Sequence, residues 1–210
     1  MSKLKKKEVE QVISLLLGAY PDAKCALDYD STFHLLVAVV LSAQTTDVSV
    51  NKVTPELFAL APDAAAMAAL PLETIEACIR RIGMYRTKAA NIRKLSAELC
   101  EKYGGEVPGD FGRLVELPGV GRKTANVVLA EAFGEQRIAV DTHVFRVANR
   151  IGLTKADNVL DTELALQKAI PHEHWTQMHH ALIWHGRKVC AARKPECESC
   201  VLRGVCGKNL

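Results

Sequence analysis

Apolar residues recur at helical spacing along almost the whole chain. Val9, Val12, Ile13, Leu16, Leu17 and Tyr20 repeat at i, i+3, i+4, i+7, i+8 and i+11, which predicts an amphipathic helix ended by Pro21. Ile75, Cys78, Ile79 and Ile82 form a second stripe, stopped by Gly83. Ile92, Leu95, Leu99 and Tyr103 form a third, stopped by Gly104-Gly105. Leu160, Leu164, Leu166, Ala169 and Ile170 predict another helix, closed by Pro171. The run Phe33 to Leu41 is Val-rich and nearly all apolar, so it fits a buried strand as well as a buried helix. A strand needs a partner, and only the short Ile138-Ala139-Val140 offers one. The run therefore reads as a buried helix with its cap at Asp30 or Ser31. The expected fold is all-α, with about ten helices on short loops, near the number that an ordinary mean helix length gives.

Composition adds limits rather than direction. Of the 210 residues, 49% are hydrophobic and 24% charged, which excludes disorder, collagen and coiled coil. Aromatics are only 5%, so the core must be aliphatic and rich in alanine. The length fits one domain or two small ones. A net charge of +3 is too weak a bias to name a partner. Behind the basic start, Met1-Ser-Lys-Leu-Lys-Lys-Lys7, no apolar segment of signal-peptide type follows, and the longest apolar runs are too short to cross a bilayer. The expectation is a cytoplasmic protein with no membrane role. In that reducing compartment seven cysteines do not suggest a disulfide framework.

Four of those cysteines are crowded. Cys190, Cys197, Cys200 and Cys206 follow C-x6-C-x2-C-x5-C within 17 residues, in a stretch where apolar periodicity fades from about Arg187. Thiolates this close repel one another, and a metal centre offsets that repulsion while tying down a segment too small to fold alone. Structural zinc usually takes two C-x2-4-C pairs, whereas only Cys197 and Cys200 form one here. Thiolate-only ligands suit iron–sulfur clusters equally, so spacing alone leaves both open. Cys25, Cys78 and Cys100 lie in or beside apolar helical stretches and read as core.

Leu117-Pro-Gly-Val-Gly-Arg-Lys-Thr124 lies between two helical stretches. It superficially resembles a nucleotide-binding loop, but Arg122 breaks the required order and no strand precedes it. A helix–hairpin–helix fits better: Pro118, Gly119 and Gly121 permit a tight turn, and N–H groups at the next helix's start can hold a DNA phosphate. A plain helix–helix turn is the blander reading. Lys123 falls in that helix's first turn, where the dipole disfavours a cation, a placement that suits a nucleophilic amine. A solvated surface lysine is its plainer reading.

Asp141 stands where a short extended piece becomes a helix, so it can serve as an N-cap. Its second oxygen can still act beside Lys123, moving protons or stabilising a cationic sugar. His143 and Arg146 suit phosphate contact or plain solvation. Basic residues gather at Arg80, Arg81, Arg86, Lys88, Arg93 and Lys94, and again at Arg187, Lys188, Arg193, Lys194 and Arg203. Runs of this kind in a nearly neutral chain suggest a one-sided footprint.

These motifs together resemble the endonuclease III family of helix–hairpin–helix DNA glycosylases with AP-lyase activity. The likeness covers essentially the whole chain. It rests on Leu117 to Asn126, Val140 to Arg146 and the cysteine tail, supported by Leu41-Ser-Ala-Gln-Thr-Thr-Asp47 and by Gly83 to Ile92. The resemblance implies that Lys123 is the Schiff-base lysine and Asp141 the catalytic aspartate. It implies removal of oxidised pyrimidines from duplex DNA and strand cleavage by β-elimination. Gln44 matches the residue that fills the gap left by a flipped base, and Met84 a wedge that is usually leucine; the hairpin residues Gly119, Val120, Gly121 and Arg122, with His143, would also touch DNA. The cysteine spacing resembles the family's 4Fe–4S loop, which selects the cluster over zinc, with Cys190, Cys197, Cys200 and Cys206 as ligands.

The implied partner is double-stranded DNA carrying damaged bases or abasic sites, bound by a monomer. A six-helix domain would span residues 25–135, and a second would join 1–24 to 136–210 with the cluster loop at 187–208, the site lying in the cleft between them. A mismatch adenine glycosylase is the nearest rival, but such enzymes lack a lysine at this position and usually carry a further C-terminal domain. A non-catalytic DNA-binding or electron-transfer module would need neither Lys123 nor Asp141. A zinc-stabilised DNA-binding protein would be colourless, where a cluster is brown.

Overall fold

A computed structural model describes residues 4–208. The first three and last two residues of the implied second domain, part of the basic start among them, lie outside the described residues. Twelve α-helices and one 3-10 turn make up the regular structure among the described residues, with no strand. The excess over ten comes from helices of five to seven residues, too short to show a period. The chain divides into two compact units, Met1–Cys25 with Glu135–Leu210, and Ala26–Gly134.

In the first unit, α1 (Lys6–Ala19) buries Val9, Val12, Ile13 and Leu16, the stripe the spacing predicts, and ends as the Tyr20 N–H bonds the Leu16 carbonyl. The second unit begins with α2 (Thr32–Leu41), in which nine of ten residues are buried. Ser31 caps it, its Oγ accepting from the His34 N–H at 3.0 Å, so the ambiguous run is a helix and Ser31 its cap. Around α2 run α3 (Asp47–Asn51), α4 (Thr54–Leu60), α5 (Ala64–Ala69), α6 (Leu72–Ile79), α7 (Tyr85–Tyr103), α8 (Phe111–Glu116) and α9 (Arg122–Phe133). α2 packs against α3, α7 and α9, and α7 against α5 and α6. α6 stops at Ile79, earlier than its stripe suggests; Ile82 is still buried, in a turn closed by its N–H to the Ile79 carbonyl.

The first unit resumes after α9. Ile138, Ala139 and Val140 run extended and buried into α10 (Thr142–Ile151), followed by α11 (Val159–Ala169), a 3-10 turn (His172–His174) and α12 (Trp175–Lys188). α12 packs on α1 and α10 around Leu16, Val144, Val147, Met178 and Leu182. α11 buries Leu166, and Ile170 just beyond it, as its stripe predicts, together with Thr162 and Glu163, while Leu160 and Leu164 are nearly half exposed. No helix among the described residues is long and apolar enough to cross a membrane.

Candidate active site and nucleic-acid interface

The hairpin is built from its ends inward. Asp110 caps α8 by accepting from the Arg113 N–H at 2.9 Å. α8 stops at Glu116, and the Val120 N–H donates to the Leu117 carbonyl at 3.0 Å, closing the turn over Pro118 and Gly119. Gly119 sits at φ +78°, and a Cβ there would come within 3.0 Å of the Asn91 side chain on α7. Glycine is therefore required twice, for backbone conformation and for close approach. Gly121 is the N-cap of α9 and brings no side chain to cap it. Such an end, with its dipole, attracts an anion. Lys123 is the second residue of this helix and is half-buried, while Thr124 to Leu129 behind it are buried. Arg122 lies with its guanidinium 4.9 Å from the Phe111 ring centroid. Val120 turns its side chain inward, so it supports the turn.

Gln44 and Met84 share an uncommon feature. Both are non-glycine residues in the left-handed region, at φ 53° and 55°, among the described residues matched only by Lys194 and Lys208. Holding such a residue there costs roughly 1–2 kcal/mol, and conformations of this kind cluster at functional sites. Met84 is the N-cap of α7 and is 51% exposed, although apolar; Gln44 is exposed too. Arg80, Arg81, Arg86, Arg93 and Lys94 are exposed as the charge pattern suggests. Lys88 is not. It is 4% exposed, and its ammonium donates to Thr45 Oγ1 at 2.7 Å, joining the Met84 segment to the Gln44 segment.

The other unit holds Asp141, His143 and the four cysteines. Asp141 caps α10, its Oδ1 accepting from the Val144 N–H at 2.8 Å, and is half-buried. His143 is half-buried beside Arg146, ring Nδ1 to Nη2 3.3 Å. Arg146 corrects the phosphate-contact expectation. Its guanidinium donates to the Gly186 carbonyl at 2.9 Å and the Cys190 carbonyl at 3.0 Å, strapping α10 to the start of the cysteine segment. One turn on, Arg150 donates to the Ala191 and Ala192 carbonyls at 2.7 and 2.9 Å.

All four C-terminal cysteines line one hollow, with Arg150 and His185 beside them. Among the described residues no three His, Cys, Asp or Glu side chains converge as a site for a single metal ion. Burial pushes the Cys200 and Cys206 thiols up, and neighbouring cysteines add to it; the Leu202 and Lys208 N–H groups, each 3.4 Å from a sulfur, act in the opposite direction. Four thiols around one hollow, with N–H groups near two of the sulfurs, are a donor set of the kind that holds zinc or an iron–sulfur cluster. No sequence pattern marks His185 or its pairing with Tyr20. His185 is held near pKa 4 by burial and is therefore neutral; its Nδ1 is 3.0 Å from Tyr20 Oη and its Nε2 3.6 Å from Cys200 Sγ. A separation of 165 residues left no signal for the Tyr20 pairing.

A family profile described as HhH-GPD superfamily base excision DNA repair protein matches residues 37–172, which include the hairpin, Lys123 and Asp141. The chain is 48% identical to Endonuclease III of Bacillus subtilis (strain 168) over 201 residues, 95% of this chain and 92% of that one. The chain belongs to the endonuclease III family of the HhH-GPD superfamily. Its likeness to Endonuclease III of Escherichia coli (strain K12) is also 48%, over 206 residues, 98% of this chain and 96% of that one. The structure of a trapped Endonuclease III–DNA covalent intermediate matches it with a TM-score of 0.94 and 50% identity, covering 98% of this chain and 97% of that one. A thermostable thymine-DNA glycosylase also matches, with a TM-score of 0.85 and 25% identity, covering 96% of each chain.

Proposed function

We propose that this protein is a bifunctional DNA glycosylase and AP lyase of base excision repair, acting on oxidised pyrimidines in duplex DNA. The observation that carries this reading is Lys123 on the uncapped first turn of α9, in a chain 50% identical to a protein trapped as a covalent intermediate with DNA. Likeness to Endonuclease III over nearly the full length favours this activity over that of a mismatch adenine glycosylase.

In this mechanism the damaged nucleotide leaves the stack. The Lys123 amine attacks C1′ and gives up a proton, the bond to the base breaks, and the base departs with the electron pair and takes up a proton. The Asp141 carboxylate stabilises the developing sugar cation and relays protons. The C1′–O4′ bond then opens, O4′ leaving as a hydroxyl, to give a protonated imine that acidifies C2′; loss of a C2′ proton expels the 3′ phosphate, and hydrolysis then frees Lys123. Gly119, Gly121 and Arg122 hold a backbone phosphate at the hairpin, His143 adds a further DNA contact, Met84 wedges the stack and Gln44 fills the vacated space. A 4Fe–4S cluster on Cys190, Cys197, Cys200 and Cys206 would supply the counter-charge that four thiolates need and would tie residues 189–208 in place. On this reading the protein works as a monomer on DNA in the cytoplasm.

Borohydride trapping on duplex DNA with an abasic site tests the reading. The wild type is expected to form a covalent adduct that Lys123→Ala loses; an adduct surviving that change removes Lys123 from the role. Asp141→Asn separates capping from chemistry, because asparagine caps a helix as well as aspartate does. DNA binding should persist while turnover falls about a hundredfold or more, the scale of general acid–base catalysis. Near-normal turnover would sink the carboxylate's assignment.

A further inference from the structure

Lys88 is the least expected residue of its unit. It lies one turn into α7 and four residues before Ile92, on the face that also buries Ala89, Leu95 and Leu99. Burial pushes its ammonium below the usual lysine range, and no carboxylate counters that effect. A methionine would fill the same space without the cost of desolvating a charge. The buried charge therefore has a use, and its hydrogen bond shows where to look.

An ammonium only donates, so Thr45 Oγ1 must accept from Lys88. The hydroxyl proton is then directed to its other neighbour, the Ala43 carbonyl 3.4 Å away. The Thr45 N–H meanwhile donates to the Ser42 carbonyl at 3.0 Å. These bonds bracket Gln44, the one residue of the turn in the left-handed region. At the other end, the Lys88 N–H donates to the carbonyl of Met84, which is also left-handed, at 3.0 Å. One residue thus links two turns that hold exposed left-handed residues, its ammonium bonding Thr45 beside Gln44 and its backbone N–H bonding Met84.

We propose that Lys88 is a positioning residue: through Thr45 it fixes Gln44 relative to Met84, so that wedge and gap-filling side chain enter the duplex as one unit. This rests on the glycosylase reading above. It assigns Lys88 no contact with the reacting atoms; its effect falls on extracting a stacked base more than on chemistry at a sugar that has already lost its base.

The test compares wild type with Lys88→Met, Thr45→Val, Thr45→Ser, Gln44→Ala and the Lys88→Met/Gln44→Ala pair. Two readouts are taken: single-turnover release of an oxidised pyrimidine from a duplex, and borohydride adduct formation on the same duplex with an abasic site. Lys88→Met and Thr45→Val should each slow base release about tenfold, the order of one hydrogen bond to a charged group. Abasic adduct formation should change less than threefold, about 0.6 kcal/mol by the usual conversion of rate ratios. Thr45→Ser, which keeps the hydroxyl, should restore release, and Lys88→Met should add nothing once Gln44 is alanine. Unchanged release in both single variants overturns the proposal, as does an equal fall in both readouts, a failure of serine to rescue, or a full further loss in the Gln44→Ala background. Thr45→Val keeps the question answerable if Lys88→Met does not fold. A wild type inactive in both readouts would instead refute the glycosylase reading itself.

Discussion

Helix α2 buries nine of its ten residues, with Leu35, Leu36, Val37, Ala38 and Leu41 wholly inaccessible. Residues 189–208 bury only Leu202 and Val205 and are held by arginine bonds to carbonyls and by the sulfur-lined hollow. The first is stabilised by apolar area removed from water, roughly 1.5–3 kcal/mol for each large side chain. The second removes too little for that and depends on whatever the four thiols hold. The two therefore answer to different perturbations. One resists anything that leaves packing intact; the other is as stable as the cluster proposed for it.

The largest expected effect follows from cofactor removal. Stripping iron with oxidant and chelator should lower hydrogen-exchange protection in residues 189–208 about a hundredfold or more, since ligand binding and local folding are coupled there. Protection of residues 33–41 should stay within about threefold on the same scale. Exchange measured by mass spectrometry decides it. Equal loss in both segments would mean that they unfold together and that the contrast is false.

The reverse perturbation comes next. Leu36 is fully buried within α2. Leu36→Ala should destabilise by about 2–5 kcal/mol, through lost transfer energy and the cavity left behind. Denaturant unfolding checks the size, and the iron-to-protein ratio of the folded fraction should not change. A loss below about 1 kcal/mol would show that α2 relaxes around the gap and is not the rigid centre its burial implies.

How far these features can be read from sequence depends on how local their causes are. Ser31 capping α2, Asp110 capping α8 and Asp141 capping α10 are contacts between residues three apart. Such caps lie on the surface of a sequence. The hairpin was legible because Gly119 and Gly121 bracket a turn, although the demand that Asn91 places on Gly119 was not. Lys88 shows where charge misleads: beside five exposed cations its charge points to the surface. Its spacing to Ile92 and Leu95 placed it on the buried face all along. Leu160 and Leu164 show the opposite case, apolar residues left nearly half exposed while the polar Thr162 and Glu163 share the buried face with Leu166. The Tyr20–His185 pair and the Arg146 strap join distant segments, and no pattern within either segment announces them.

The smallest effect sharpens the contrast most. If residues 189–208 are held by directed polar bonds as well as by their cysteines, the shape of the donor must matter and not its charge alone. Arg150 reaches the Ala191 carbonyl with one terminal nitrogen and the Ala192 carbonyl with the other. Arg150→Lys keeps the charge but gives up the planar fork that serves both acceptors. The expected cost is about 1.5–3 kcal/mol, the net value of a hydrogen bond to a charged group. It should be confined to this segment: visible absorbance should bleach severalfold faster under chelator, while exchange in α2 stays as in the wild type. Bleaching at the wild-type rate would mean that sulfur ligation alone holds the loop, and that the carbonyl bonds merely accompany a structure the cysteines already determine.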